Sequence, residues 1–322
     1  MQNGVHQAPG FLFYTMEKKQ HTISLAGFII TFFGAVLFST KAIIVKKAFY
    51  DTHIDALSLL TIRMIFSLPF YLGAAIFAGS KKDNIHFTRK QWFWVIILGL
   101  FGYYISSFLD FAGLQYVSAG LERLILFLYP TFAVLINAIV FKQKINRVQL
   151  LALILTYTGI AIAYIGQLHM DTASHAFYLG SLLVFLCAIT YAIYIAGSGK
   201  LVQQVGATKF TAYAMLAATL GIFTHYMLAG NYQLLHSGTE YWSYGILLAI
   251  LATVIPSFLI SYGMKQIGSN NVAIISGIGP VSTIIQAHFI LGEKIFAEQI
   301  AGTVLVIAGV LLIGWKSRPA PE

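Results

Sequence analysis

The sequence predicts an all-α, polytopic membrane protein with ten transmembrane helices arranged as two inverted five-helix repeats. Three observations lead to this reading. Apolar stretches close to the ~20 residues needed to cross hydrocarbon fill the chain almost end to end. Of its 322 residues, 58% are hydrophobic and only 10% are charged, a balance that leaves a soluble domain short of polar surface. Finally, Gly113, Pro130, Lys144, Ile145, Gln149, Leu155 and Gly159 recur 150 positions later as Gly263, Pro280, Lys294, Ile295, Gln299, Leu305 and Gly309. Five helices per half is an odd number, so the second half enters the membrane in the opposite direction.

The elements follow in order. Residues 1–22 are polar and form an N-terminal tail. The first apolar run, 23–45, is longer than a signal-peptide core and is not followed by a small-residue cleavage site, so it is expected to remain as helix 1. Helices 2 to 5 are expected at 56–78, 92–113, 119–141 and 148–166, completing a first repeat over 23–167. Helices 6 to 10 are expected at 177–198, 208–229, 242–262, 271–291 and 298–315, giving a second repeat over 176–316 and a C-terminal tail over 317–322. The longest gap, Gly79 to Gln91, is too short for a separately folded soluble domain. The working parts must therefore lie inside the bundle.

A formal charge of +9 raises nucleic acid as a partner, but in a membrane chain retained Lys and Arg set orientation. With a cytoplasmic N-terminus, fourteen of these residues fall in cytoplasmic segments and only Lys46, Lys47 and Lys294 outside. Both termini are then cytoplasmic, and the expected location is the bacterial cytoplasmic (inner) membrane. The basicity is topological, and no nucleic-acid partner is expected. Cys187 is the single cysteine, which excludes an intramolecular disulfide and a thiolate metal cluster. There is no Walker-type phosphate loop, so transport by this chain alone would not be ATP-driven. No catalytic residues, metal or cofactor are expected.

Several motifs resemble EamA-type members of the drug/metabolite transporter superfamily. They are Ser39-Thr40-Lys41-Ala42, Leu60-Thr61-Ile62-Arg63-Met64, Ser118-Ala119-Gly120-Leu121-Glu122-Arg123 leading to Leu128-Tyr129-Pro130-Thr131, and Gly279-Pro280 followed by Leu291-Gly292-Glu293-Lys294. The resemblance covers residues 23 to 316. It implies a ten-helix permease or exporter with two inverted repeats, working as a monomer or weak homodimer, on substrates that range over amino acids, other metabolites, nucleotide sugars and drugs. One departure is that the acidic residue of the loop motif occurs once: Glu293 has Gln143 as its first-half counterpart.

Chain direction and a rise of about 1.5 Å per residue give each helix residue a depth. Lys41, Arg63, Asp110, Glu122 and Arg123 converge on the outer third of the first repeat. An unpaired charge at a helix centre costs ~2.5–3.5 kcal/mol on insertion scales, so these groups are expected to meet each other. They form either a structural salt-bridge network or an ionic gate or anion anchor, since three cations against two carboxylates leave one positive charge over. Their counterparts in the second repeat are uncharged, with Val272 and Ala273 aligned to Glu122 and Arg123. Asp110 and Glu122 are also the candidate carriers of a coupling proton, with ion pairing the favoured role.

Pro130 and Pro280 are expected to bend helices 4 and 9 at matched positions and so act as hinges. On helix 9, Ser276, Gly279, Thr283 and Gln286 share one face; on helix 4, Glu122, Tyr129, Ala133 and Asn137 do. Tyr103, Ser106 and Asp110 of helix 3, Cys187, Thr190, Tyr191 and Tyr194 of helix 6, and Thr253, Ser257 and Ser261 of helix 8 add polar stripes. The expected substrate cavity comprises Tyr103, Tyr129, Asn137, Tyr191, Tyr194, Ser276, Thr283 and Gln286. For any one of these residues, packing between helices is the competing role.

The leading functional reading is a secondary transporter, an exporter of small organic metabolites such as amino acids or amphipathic compounds, working by alternating access between inverted repeats. The alternatives are a channel or non-transporting scaffold and an uptake permease for carboxylate or phosphorylated metabolites. An intramembrane enzyme would need a convergent nucleophile and base, which Cys187 and the scattered histidines do not supply.

Overall fold

The computed structural model describes residues 24–80, 87–140, 147–168, 175–229 and 238–316. Among them the chain is helical, with no strand. Helix α1 (Leu25–Thr52) starts where the Ser24 hydroxyl accepts the Gly27 N–H and ends at His53 in the left-handed region. The Asp55 carboxylate caps α2 (Ala56–Gly79), and a reciprocal Thr88–Gln91 capping box opens α3 (Arg89–Gly99). A π-helical stretch, Leu100–Ile105, carries α3 into α4 (Ser106–Leu114). Then come α5 (Ala119–Leu126), α6 (Tyr129–Val140), α7 (Arg147–Leu168), α8 (His175–Val205) and α9 (Ala207–Ala229). Helix α10 (Thr239–Ala249) runs through a second π-helical stretch, Ile250–Val254, into α11 (Ile255–Ile275), which is broken at Gly268. Helix α12 (Ile278–Gln286), its π-helical extension Ala287–Leu291 and α13 (Ala297–Lys316) complete the chain.

The distribution of side chains inverts the soluble pattern. Leu220 is 71% exposed and Phe289 81%, whereas Asp110 and Glu122 are fully buried. An apolar exterior around buried charge is stable only in a solvent that is itself apolar. Among the described residues, six helical runs are long and apolar enough to cross a membrane: Leu25–Thr52, Ala56–Gly79, Arg89–Leu114, His175–Gly199, Ala207–Ala229 and Thr239–Gly268. Ile154–Ile165, Ile278–Leu291 and Ala297–Gly309 are shorter apolar helices. The expected single helix over 119–141 is instead divided into α5 and α6, of 8 and 12 residues, each too short to span hydrocarbon alone.

The 150-residue spacing reappears in the irregularities of the backbone. The π-helical stretches begin at Leu100 and Ile250. The extended residue that separates α4 from α5 is Ser118, and the non-helical residue inside α11 is Gly268. The turn at 127–128 between α5 and α6 corresponds to the turn at 276–277 between α11 and α12, within one residue. Pro130 and Pro280 therefore do not kink continuous helices, as the sequence suggested. Each sits in the first turn of the helix that follows a break, where a missing N–H leaves no hydrogen bond unmade.

Helices of the two halves pack on one another. Helix α1 lies along α11 and α12, α2 along α9 and α10, α4 along α8, and α7 along α13. The α7–α13 contact depends on two glycines. A Cβ on Gly302 would run into the Gly159 carbonyl, and one on Gly159 would lie 2.6 Å from the Gly302 carbonyl oxygen. Close backbone approach of this kind is how membrane helices gain packing energy, since lipid competes equally for apolar side chains. Gly302→Val is expected to cost at least ~1–3 kcal/mol through overpacking, read as a lowered unfolding temperature in detergent. Gly73→Ala, where the added methyl meets nothing within 4 Å, is expected to stay within ~1 kcal/mol of the parent.

Candidate functional site

The five ionisable residues that share a depth in the sequence come together. The Lys41 ammonium on α1 lies 2.5 Å from Asp110 Oδ2 on α4, and both side chains are buried. Among the described residues the fully buried Glu122 on α5 forms no ion pair; its carboxyl adjoins that of Asp110. No N–H or O–H among the described residues donates to either Glu122 oxygen or to Asp110 Oδ1. Carboxylates only accept, so a hydrogen bond between two such groups requires a proton held between them.

The remaining cations are spent differently. Arg123 on α5 donates from Nη2 to the Ser39 hydroxyl of α1 at 3.1 Å, and its Nε has no partner. Arg63 on α2, 3% exposed, places its guanidinium carbon 5.1 Å from the centre of the Phe111 ring, while Nε and Nη2 lack hydrogen-bond partners. A cation over an aromatic face gains about 0.5–2 kcal/mol, which only partly offsets taking a guanidinium out of water.

These cations border a narrow cleft with a cavity volume of about 50 Å³. Lys41, Arg63 and Arg123 line it, together with Tyr103, Tyr129, Tyr191 and Ser276 from the expected cavity set and Ser106, Thr253 and Ser257 from the polar stripes. Both halves contribute to the wall. The Thr253 hydroxyl is buried without a hydrogen-bond partner. Tyr129 and Tyr191 meet edge to face at 5.0 Å, and Tyr191 stacks on Tyr194 at 5.7 Å, so the cleft has aromatic as well as cationic lining.

Other expected residues lie elsewhere. Tyr194 is behind the wall, its hydroxyl 2.7 Å from that of Tyr103, because Gly102 has no Cβ and lets the Tyr194 ring approach the backbone. Thr283 is buried against Ser39, whose carbonyl accepts its hydroxyl at 3.4 Å, and the Gln286 amide donates to Ser282 at 2.8 Å. The side chain of Asn137 on α6 lies outside the described residues. Cys187 meets Ser106 at 3.3 Å, and Ser261 accepts from Thr211 at 2.5 Å, so both tie helices together. Asp110 and Glu122 do not line the cleft; they back its cationic side. Sequence reasoning missed Phe38, Ser107 and Phe127, which do line it. Phe127 sits in the turn between α5 and α6, where helical spacing gives no signal.

A further contact joins the halves beside the charge cluster. The Glu293 carboxylate accepts the Ala119 N–H at 3.0 Å and the Gly120 N–H at 3.4 Å, capping α5 from the segment that precedes α13. Backbone donors at a helix start favour a carboxylate in this position.

Comparison with known proteins agrees with this architecture. The chain is 30% identical to an uncharacterized transporter of Bacillus subtilis, YcbK, over 91% of its length and 95% of that protein. It is 23% identical to an uncharacterized transporter of Synechocystis, with 93% and 88% of the two chains covered. One solved crystal structure superimposes with a TM-score of 0.66 at 16% identity, covering 92% of this chain and 98% of the other, and shares the fold. The EamA-like transporter family matches twice, over residues 25–165 and again over 178–315. The chain, a multi-pass membrane protein, belongs to the EamA-like transporter family.

Proposed function

We propose that the protein is a secondary transporter of small organic metabolites in a bacterial cytoplasmic membrane, an exporter that works by alternating access. The observation that carries this reading is a polar cleft walled by both halves of a chain whose family matches each half separately. In this reading residues 23–167 and 176–316 are repeats of opposite orientation, tails 1–22 and 317–322 are both cytoplasmic, and the chain spans the bilayer ten times. The recurrence of π-helical stretches and helix breaks at a 150-residue spacing supports the repeat. Fourteen cationic residues in the cytoplasmic segments against three outside support the inversion.

Rocking one repeat against the other would open the cleft to each side in turn. The breaks before Pro130 and Pro280 are the points at which α6 and α12 turn relative to the preceding helices. Tyr103, Tyr129, Tyr191 and Ser276 contact substrate, while Lys41, Arg63 and Arg123 set the charge of the site. Asp110 and Glu122 hold the coupling proton, supported by two adjoining buried carboxyls of which Asp110 is ion-paired with Lys41. The cationic wall also favours a second reading, an uptake permease for carboxylate or phosphorylated metabolites, which differs in direction rather than in site.

Purified protein in liposomes, loaded with a mixture of amino acids, organic cations and organic acids, is expected to move at least one solute saturably, without ATP and without ion conductance. Movement of no solute, or currents at channel rates, would refute the carrier. Glu122→Gln is expected to abolish acceleration of net transport by an imposed pH gradient while leaving solute exchange at equal pH within about threefold. Wild-type transport that ignores collapse of the proton gradient would remove the coupling role.

A further inference from the structure

Resting on the carrier reading, we infer that the solute bound in the cleft carries an oxyanion, a carboxylate or phosphate group, which seats on the Arg63 guanidinium while an apolar body lies along Tyr129 and Tyr191. Arg63 is almost fully buried and lines the cleft, and two of its three guanidinium nitrogens lack a hydrogen-bond partner. A buried cation in that state is costly unless something completes it. The neighbouring acids do not. Asp110 is taken by Lys41 at 2.5 Å, and Glu122 adjoins Asp110, so neither carboxyl reaches into the cleft.

The surplus positive charge counted in the sequence thus falls on a side chain with free donors. Guanidinium presents its donors as a planar fork that matches carboxylate and phosphate oxygens in pairs, which an ammonium does not. Arg123, with Nε unpartnered, and the unpartnered Thr253 hydroxyl add donors on the walls of the same space. A cationic solute would face three positive groups, and a neutral one would leave the guanidinium unpaired. Only an anion gains from both. The edge-to-face pair of Tyr129 and Tyr191 then offers apolar surface to the rest of the solute.

The test is thermal unfolding of the full chain in detergent, titrated with phenylacetate, phenyl phosphate, phenylacetamide and 2-phenylethylamine. Phenylacetate or phenyl phosphate is expected to raise the unfolding temperature saturably, and the one that acts at lower concentration identifies the oxyanion. The amide and the amine, equal in apolar body, are expected to act at least tenfold more weakly. Arg63→Gln is expected to weaken the oxyanion effect at least tenfold, with Arg63→Lys intermediate. The acid-against-amide comparison uses the wild-type chain, so the inference stays open to refutation even where the variants fail to fold. It is overturned if neither oxyanion stabilises the protein, if amide or amine matches them, or if folded Arg63→Gln responds as the parent does. Saturable transport of cations or neutral solutes alone would overturn the anion site and leave the carrier standing. Oxyanion binding through Arg63 with no solute moved in liposomes would uphold the site and refute the carrier.

Discussion

A charge inside a membrane bundle must find a partner or face a space that supplies one, and this constraint organises the structure. Lys41 and Asp110 satisfy it directly, joining α1 to α4. Arg123 satisfies it in part through Ser39, while Glu122 lies against the Asp110 carboxyl with no donor to either oxygen among the described residues. Arg63 does not, beyond the face of Phe111. The cluster is therefore not a closed set of ion pairs. Its acids are buried behind the wall and its cations are turned toward the cleft, so the unsatisfied side of the network is also the side that a solute would meet.

The two halves agree in skeleton and differ in charge. Their π-helical stretches and their non-helical residues at Ser118 and Gly268 keep a common spacing, and the turns before Pro130 and Pro280 keep it to within one residue. Yet Val272, the counterpart of Glu122, is a buried apolar residue. Glu293, which caps α5 across the boundary between the halves, has Gln143 as its counterpart, a position outside the described residues. A repeated framework can support the same movement in both halves. A charge cluster in only one of them makes the two sides of the cleft chemically unequal.

The convergence of Lys41, Arg63, Asp110, Glu122 and Arg123 was legible in the sequence because helix rise converts chain position into depth and because buried charge seeks partners. The repeat was legible because its glycines and prolines mark backbone events. The break at 127–128 was not, since Phe127 and Leu128 are apolar and continue the pattern of a spanning helix. For the same reason Pro130 read as a kink inside a helix rather than as the start of one. Polar stripes were the least informative guide. Tyr194, Ser261, Thr283 and Cys187 carry the chemistry of a binding wall but spend it on Tyr103, Thr211, Ser39 and Ser106, and sequence spacing does not separate these uses.

The central claim is that one cleft between the halves is presented to each side of the membrane in turn. Thr253, on the cleft wall contributed by the second half, reports on it. With Cys187 replaced by alanine, a Thr253→Cys chain can be treated with a membrane-impermeant thiol reagent from either face of oriented vesicles. The account predicts labelling from both faces, without any continuous conductance. Labelling from one face only, under every solute condition, would contradict it.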